Sequence, residues 1–539
     1  MIYPSLPDFL KLSQKGNVIP VYKEINADLD TPVSAFLKIK KADYSFLLES
    51  VEGQEQIARY SFLGSQPAVV FKCKGKNIQI IYPSQHKSNR FVTKLDPLDE
   101  IKNIMKDFKA VAVKGLPRFS GGLVGYMGYD MVRFFEKIPD KNYDDLKLPD
   151  AVFILADTIL VFDHVNHTIK IVANVMLPKN YDKIQSKRRK KLYQDSIKKI
   201  ENIHKALKGP VQEADVKKEA VAGSQAKVSS NYKKPEFEGI VNKAKAFIKK
   251  GDIIQVVLSQ RFKIKINTDP FGIYRSLRSI NPSPYMFFLH LDDMLLIGSS
   301  PEMLVRYEDG VVETRPIAGT RPRGKTEEQD KLLEKELLKD TKERAEHLML
   351  VDLGRNDLGR VCRSGKVVVD EFMKVERYSH VMHLVSQVRG VLDKRYDIYD
   401  VLRASFPAGT VSGSPKIRAM EIIDELENLR RGPYAGCVGY FSFSHNMDTC
   451  ITIRTILIKD SFAYVQAGAG IVADSLPEKE YFESVNKAEA LIEAIRDGSQ
   501  SKAGVSPLRG HVKIALRTVP KTKIRRKQYG SEDSFKKNR

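Results

Sequence analysis

The chain has 539 residues, 42% hydrophobic and 29% charged, which describes a globular protein with room for a large core, and its length predicts about two to four domain-sized units. No apolar run approaches the roughly 18 residues a membrane helix needs, and four scattered cysteines (Cys73, Cys362, Cys437, Cys450) without a C-x-x-C pair fit neither a disulfide framework nor a zinc site. Of the net charge of +22, residues 501–539 carry +10 and residues 181–220 carry +6; with no helix-turn-helix, zinc-finger or RNA-binding motif beside them, no nucleic-acid partner is expected.

The N-terminal stretch, residues 1–16, lacks both a secretory apolar core and an arginine-rich transit pattern, so a cytoplasmic protein is expected. Residues 1–175 read mainly as strands with turns between them. The stretch Tyr44 to Ser50 fits an edge strand ending in a capped turn as well as it fits a ligand pocket. Gly121 to Asp130 has irregularly spaced glycines and no phosphate-binding helix after them, which predicts a tightly packed strand rather than a dinucleotide site. Residues 151–175 predict a β-hairpin around His164 to His167. A lysine-rich amphipathic helix is predicted from Pro178 to Leu207, and from Lys208 the composition shifts to Ala, Ser, Gly, Lys and Glu, the mark of a linker.

Motifs are denser beyond Pro235. A helix over 236–250 leads into the strand Ile253 to Gln260, whose Gln255 must find hydrogen-bond partners in the core or in a site. Glu302 follows a buried-type strand on a turn, and Pro316 to Gly324 reads as a basic glycine loop suited to anions. A helix over 326–350 is predicted to carry Glu343, Glu346 and His347 on one face. After His380 to His383 comes the loop Pro407 to Lys416. Gly468 to Gly470 reads as a glycine turn after a strand, and a helix capped by Asp474 or Ser475, with Pro477 in its first turn, then brings Glu480, Glu483 and Lys487 together. The collection points to a small polyanion held by Arg454, Lys416 and glycine-loop amides, with a hard metal such as Mg²⁺ on helix carboxylates. No P-loop, G-x-S-x-G or H-E-x-x-H is present.

The blocks PIAGTRPRG (316–324), EHLMLVDLGRNDLGRV (346–361), HVMHLVS (380–386), PAGTVSGSPKIRAMEII (407–423), GPYAG (432–436), QAGAGIVADS (466–475) and EKEYFESVNKA (478–488) resemble those of chorismate-utilising enzymes, specifically the anthranilate synthase component I family. The resemblance covers about residues 5 to 497. It implies an α+β fold in which two large antiparallel β-sheets pack together with helices outside and the active site lies in a cleft of the C-terminal region. The regions implied are 1–205, N-terminal and tryptophan-binding; 206–234, linker; 235–500, chorismate-binding and catalytic; and 501–539, a basic tail expected to be disordered.

The same resemblance implies that chorismate and ammonia become anthranilate and pyruvate, on the route to tryptophan, with ammonia supplied by a glutamine amidotransferase partner. Mg²⁺ is implied on Glu346 and Glu483, and substrate on Gly319, Thr320, Thr410, Tyr434, Arg454, Gly468, Ala469 and Gly470. Glu302 stands at the position of the acid that protonates the leaving hydroxyl, His383 at that of the histidine tied to pyruvate elimination, and Lys487 is implied in the catalytic group. Relatives that add water carry a lysine base where this chain has Gln255. Glutamine cannot deprotonate water, so ammonia is the better nucleophile here. Ser50, Pro284, Tyr285 and Met286 resemble a feedback site for tryptophan. The alternative is aminodeoxychorismate synthase component I, which resembles PIKGT where this chain has Ala318; a basic nucleic-acid-associated protein is the remote alternative.

Overall fold

Segments such as Ala151–Ala156 (AVFILA) are apolar at every position and buried on both faces, which is what a strand lying between two packed layers requires. The computed structural model describes residues 1–40, 43–51, 59–211, 227–378 and 381–500. Most of the expected linker (212–226), the basic tail (501–539) and His380 lie outside the described residues.

Among the described residues the strands form two antiparallel sheets of thirteen and twelve strands. The first runs Ile2–Tyr3, Val18–Asn26, Thr168–Met176, Thr158–Asp163, Tyr60–Ser65, Tyr44–Glu49, Tyr285–Leu291, Met294–Ser300, Thr455–Lys459, Phe462–Ile471, Gln255–Lys265 and Val228–Ser230, with Gly413–Ser414 paired to the start of Gln255–Lys265. The second runs Ile317–Pro322, Val381–Leu392, Val311–Thr314, Met303–Glu308, Met447–Ile451, Cys437–Ser442, Gly122–Met127, Ala151–Ala156, Val69–Lys74, Asn77–Tyr82 and Lys87–Val92, with Cys362–Arg377 paired to Val381–Leu392. Each sheet takes strands from both sides of the expected linker. The boundary therefore divides the chain and not the sheets, because the Tyr44–Glu49 strand satisfies its backbone against Tyr285–Leu291.

Between the sheets Phe46, Phe62, Tyr126, Phe287, Val438 and Tyr440 share one apolar layer. Each fully buried Phe there contributes about 2 kcal/mol. Helices cover the outer faces. Pro270–Ile280 and Pro477–Gln500 lie on the first sheet through Tyr274, Leu277, Ala488 and Ile492, and Pro97–Met105, Thr341–Gly359 and Ile398–Ser405 on the second through Ile101, Val351 and Leu402.

Several local expectations change. Tyr44–Glu49 is an interior strand rather than an edge. Gly468 to Gly470 lies inside the strand Phe462–Ile471, not in a turn: ten consecutive residues pair with Gln255–Lys265, and the ladder overrides the turn preference of glycine. Pro316 to Gly324 is likewise mostly strand, Ile317–Pro322. The helix expected over 326–350 is two helices, Glu327–Lys339 and Thr341–Gly359; Asp340 breaks it by turning its side chain to accept from the amides of Lys342 and Glu343. The lysine-rich helix starts at Ser186 rather than Pro178. The hairpin of residues 151–175 is Thr158–Asp163 with Thr168–Met176, while Ala151–Ala156 joins the other sheet.

Gly125 marks the tightest point of the second sheet. It pairs with Gly439, and a Cβ at Gly125 would lie 1.9 Å from the Val152 carbonyl oxygen, with backbone that cannot move aside. Gly125→Ala is therefore expected to destabilise the fold by about 2–3 kcal/mol, read as a lower midpoint in denaturant unfolding. An unchanged midpoint would show that this strand pair gives way freely.

Candidate active site

Four elements converge. The strand Gln255–Lys265 begins with Gln255, which is buried, and its neighbour across the ladder comes so close that a Cβ on Gly470 would lie 2.4 Å from Gln255 Nε2. The helix Thr341–Gly359 presents Glu346, whose Oε1 accepts from Gln255 Nε2 at 3.4 Å. The helix Pro477–Gln500 presents Glu483 and Lys487, 2.8 Å apart, and Lys487 Nζ also donates to the Gly468 carbonyl at 3.1 Å. Burial raises the Glu346 pKa, and the carboxylates of Glu343 and Glu483 push it the same way. Two acids from different helices thus face each other across a partly buried space, which Gln255 and Lys487 relieve only in part.

The fourth element is the strand pair Ile317–Pro322 and Val381–Leu392. Its register shifts between Ala318 and Thr320, and Gly319 sits in the shift with φ of +67°, a backbone conformation glycine adopts freely. The bulge turns the Gly319 carbonyl toward His383 Nδ1 at 3.1 Å, with Thr320 Oγ1 at 3.0 Å from the same nitrogen. A carbonyl only accepts, so Nδ1 carries the proton and Nε2 keeps its lone pair. Burial, with Arg454 adding to it, pushes the His383 pKa down to about 4. The imidazole is neutral near pH 7.

Glu302, 5% exposed, sits between the strands Met294–Ser300 and Met303–Glu308. Thr410 Oγ1, from the short turn Gly409–Val411, donates to its Oε1 at 2.7 Å. Burial pushes the Glu302 pKa up to about 8, against the opposing pull of Thr410, the Ile317 amide and Arg454. Arg454 acts electrostatically on both Glu302 and His383, which places a protonated carboxyl and a neutral imidazole around one guanidinium. Tyr434 is buried, and its hydroxyl lies 2.9 Å from where a Gly468 Cβ would stand. The contacts and charge effects form two groups: Gln255, Glu346, Glu483, Lys487, Tyr434 and the strand residues Gly468 to Gly470 in one, and Glu302, Thr410, Arg454, His383, Gly319 and Thr320 in the other.

Two expectations are corrected. Lys416 is not open to a polyanion: its Nζ is 2.7 Å from Asp357 Oδ2, both largely buried. His347 does not share the outward face of Glu346; it is fully buried, with Nε2 2.6 Å from Ser386 Oγ. Among the described residues no three His, Cys, Asp or Glu side chains gather to hold a metal, which leaves Glu346 and Glu483 as a pair of hard oxygen donors of the kind Mg²⁺ takes together with substrate oxygens and water.

Ser50, Pro284, Tyr285 and Met286 line a separate cavity of about 680 Å³ between the sheets. Ser50 Oγ is buried there without a protein partner. Sequence reasoning missed its polar wall: Asp448 accepts from Tyr285 Oη at 3.0 Å, Arg306 Nε at 3.0 Å and Arg118 Nη2 at 3.1 Å. The available signal was a carboxylate inside the apolar strand Met447–Ile451.

The titration of Glu302 has a signed consequence. A carboxyl with an ordinary value of 4.5, raised to about 8 in the fold, keeps a proton that the unfolded chain releases between those values. Folding stability contributed by this group is complete below 4.5 and falls as pH rises through about 8. Glu302→Gln cannot titrate, so the decline in unfolding free energy between pH 5 and 8 should be shallower than in the wild-type chain. Parallel wild-type and variant profiles would remove the raised pKa.

A family model described as chorismate binding enzyme matches residues 44–493. The chain is 51% identical to anthranilate synthase component 1 of Aquifex aeolicus (strain VF5), over 92% of this chain and 99% of that one. It is 48% identical to anthranilate synthase component 1 of Acetivibrio thermocellus, over 93% and 100% of the two chains. Among solved structures, anthranilate synthase component I from Streptococcus pneumoniae TIGR4 superposes with a TM-score of 0.70 at 37% identity, covering 87% of this chain and 99% of the other.

Proposed function

The chain belongs to the family of chorismate-binding enzymes, and on that premise we propose that it adds ammonia to chorismate and releases anthranilate and pyruvate. The observation that carries the reading is the pair around Arg454: Glu302, holding a proton because it is buried, and His383, neutral for the same reason. Glu302 gives its proton to the departing C4 hydroxyl as nitrogen bonds at C2, a general-acid role for which a pKa near the working pH is suited. His383 Nε2 serves the later elimination of pyruvate. Arg454, Thr320, Tyr434 and the amides around Gly468 to Gly470 orient the substrate, and Lys487 holds Glu483 in place.

Glu346 and Glu483 would hold Mg²⁺; their mutual repulsion in a partly buried space supports that fit. When bound, the ion supplies a Lewis acid that draws electron density from the ring through its carboxylate. Gln255 has no basic nitrogen with which to activate water, so ammonia is favoured as nucleophile. Ammonia comes from a glutamine amidotransferase subunit, a reading supported by the component 1 designation of the relatives. Ala318 argues against aminodeoxychorismate synthase chemistry, since it offers no side-chain nucleophile for C2.

The deciding experiment incubates the purified chain with chorismate, Mg²⁺ and ammonium at alkaline pH and identifies the product. Anthranilate fluorescence with stoichiometric pyruvate is expected, and 4-amino-4-deoxychorismate without anthranilate would overturn the reading. Glu346→Gln and Glu483→Gln should each lower turnover by about 100-fold or more, with Mg²⁺ binding by calorimetry weakened and melting temperature unchanged. Wild-type rates with the same Mg²⁺ requirement would remove the pair from the site.

The cavity at Ser50 is large enough to take an amino acid with room to spare. We assign it to tryptophan as feedback inhibitor, with the Ser50 hydroxyl and the Asp448 cluster as polar contacts. Ser50→Phe fills that space. Inhibition by tryptophan should be lost with catalysis spared, and inhibition at unchanged tryptophan concentrations would place the effector elsewhere.

A further inference from the structure

A second, much smaller cavity borders Glu302. It measures about 30 Å³, and among apolar side chains such as Leu353 and Ile451 its lining includes Glu302, Thr410, Thr314, Asp357 of the helix Thr341–Gly359, and Ser405 at the end of the helix Ile398–Ser405. Ser405 is 4% exposed, and its buried hydroxyl finds no partner in the protein. A space of that size fits one water; of its three hydroxyls Thr410 already donates to Glu302 and Thr314 to the Leu304 carbonyl, so Ser405 and the two carboxyls are the polar partners that remain for it. Asp357, on the same wall, is mostly buried but reaches solvent with 15% of its side chain, and its Oδ2 meets Lys416 Nζ at 2.7 Å.

We propose that this cavity holds one ordered water, bonded to Ser405 Oγ and bridging the carboxyls of Asp357 and Glu302, and that it returns to Glu302 the proton given up in each turnover. The proposal rests on the reading of Glu302 as the acid of the reaction. In the chemical step the Glu302 O–H bond breaks, the C4–O bond of the substrate breaks, and the hydroxyl leaves as water. The Glu302 carboxylate then takes a proton from the cavity water, which takes one from Asp357, which takes one from solvent. The balance closes because nitrogen, once bonded at C2, releases one proton to solvent. Burial raises the Asp357 pKa while Lys416 and Arg360 oppose it, so its carboxyl can carry a proton in passing. Thr410 holds the orientation of Glu302 and leaves the exchange to the water. Ser405 is a positioning residue: it holds the water and never touches the substrate.

The test uses the full chain with chorismate, Mg²⁺ and ammonium. Ser405→Ala should lower kcat by about 10-fold, less than the loss of the acid itself, leave KM for chorismate unchanged, and raise the solvent deuterium isotope effect on kcat as reprotonation becomes slow. Asp357→Asn should do the same. If Asp357→Asn fails to fold for want of a partner for Lys416, Ser405→Ala decides alone, because it removes a single unpaired hydroxyl. A crystal structure of the wild-type chain should show one density peak between Ser405 and Glu302. Wild-type kcat and isotope effect in Ser405→Ala would overturn the relay and leave the reaction standing, as would a loss carried by KM and a lowered melting temperature. A wild-type chain that makes no anthranilate would overturn the reaction and the relay with it.

Discussion

Removal of water from around Glu302 and His383 is the constraint on which the site depends. In a low dielectric a carboxyl keeps its proton and an imidazole loses its own, so the same burial that raises Glu302 lowers His383. Exposed, with ordinary values of 4.5 and 6.5, Glu302 would be ionised near neutral pH and could not act as an acid, and His383 would be partly protonated. The Arg454 guanidinium opposes the first shift and reinforces the second. Burial dominates in both cases.

That dryness is a product of the two-sheet architecture. Glu302 immediately precedes the strand Met303–Glu308 of the second sheet, and the amide of Ile451 donates to its carbonyl at 3.0 Å, which fixes the backbone under the carboxyl. The ladder between Gln255–Lys265 and Phe462–Ile471 belongs to the first sheet and brings Gln255 against Gly470 with no room for a side chain. The helices Thr341–Gly359 and Pro477–Gln500 pack on different sheets and bring Glu346 and Glu483 within electrostatic reach of each other. Each functional group is therefore held by an element whose own burial is secured elsewhere, which is how a site tolerates unfavourable charge in its midst.

The cavity near Ser50 follows from the same interleaving. Its wall takes Ser50 from the N-terminal part of the chain and Tyr285, Arg306 and Asp448 from the C-terminal part. The strand Met303–Glu308 runs from beside Glu302 to Arg306, and its partner Met447–Ile451 runs from Asp448 to Ile451. One strand pair thus borders both the cavity and the candidate acid. A ligand in the cavity would press on that pair directly.

Motif blocks such as PAGTVSGSPK and QAGAGIVADS made the family legible, because their residue types and local spacing are properties of the chain itself. The strand character of residues 151–175 and the amphipathic stripe through Ala488 and Ile492 were legible for the same reason: periodicity is local. The glycines at 468 and 470 misled, since glycine signals a turn until a ladder claims it, and that ladder is formed with residues some two hundred positions away. Lys416 misled in the same way, because its counter-ion Asp357 is remote in sequence. The protonation of Glu302 and His383, the orphaned hydroxyl of Ser405 and the Arg118–Asp448–Arg306 cluster had no signature that residue type alone could carry. Burial and long-range pairing are set by which faces pack together, and only the tertiary structure decides that.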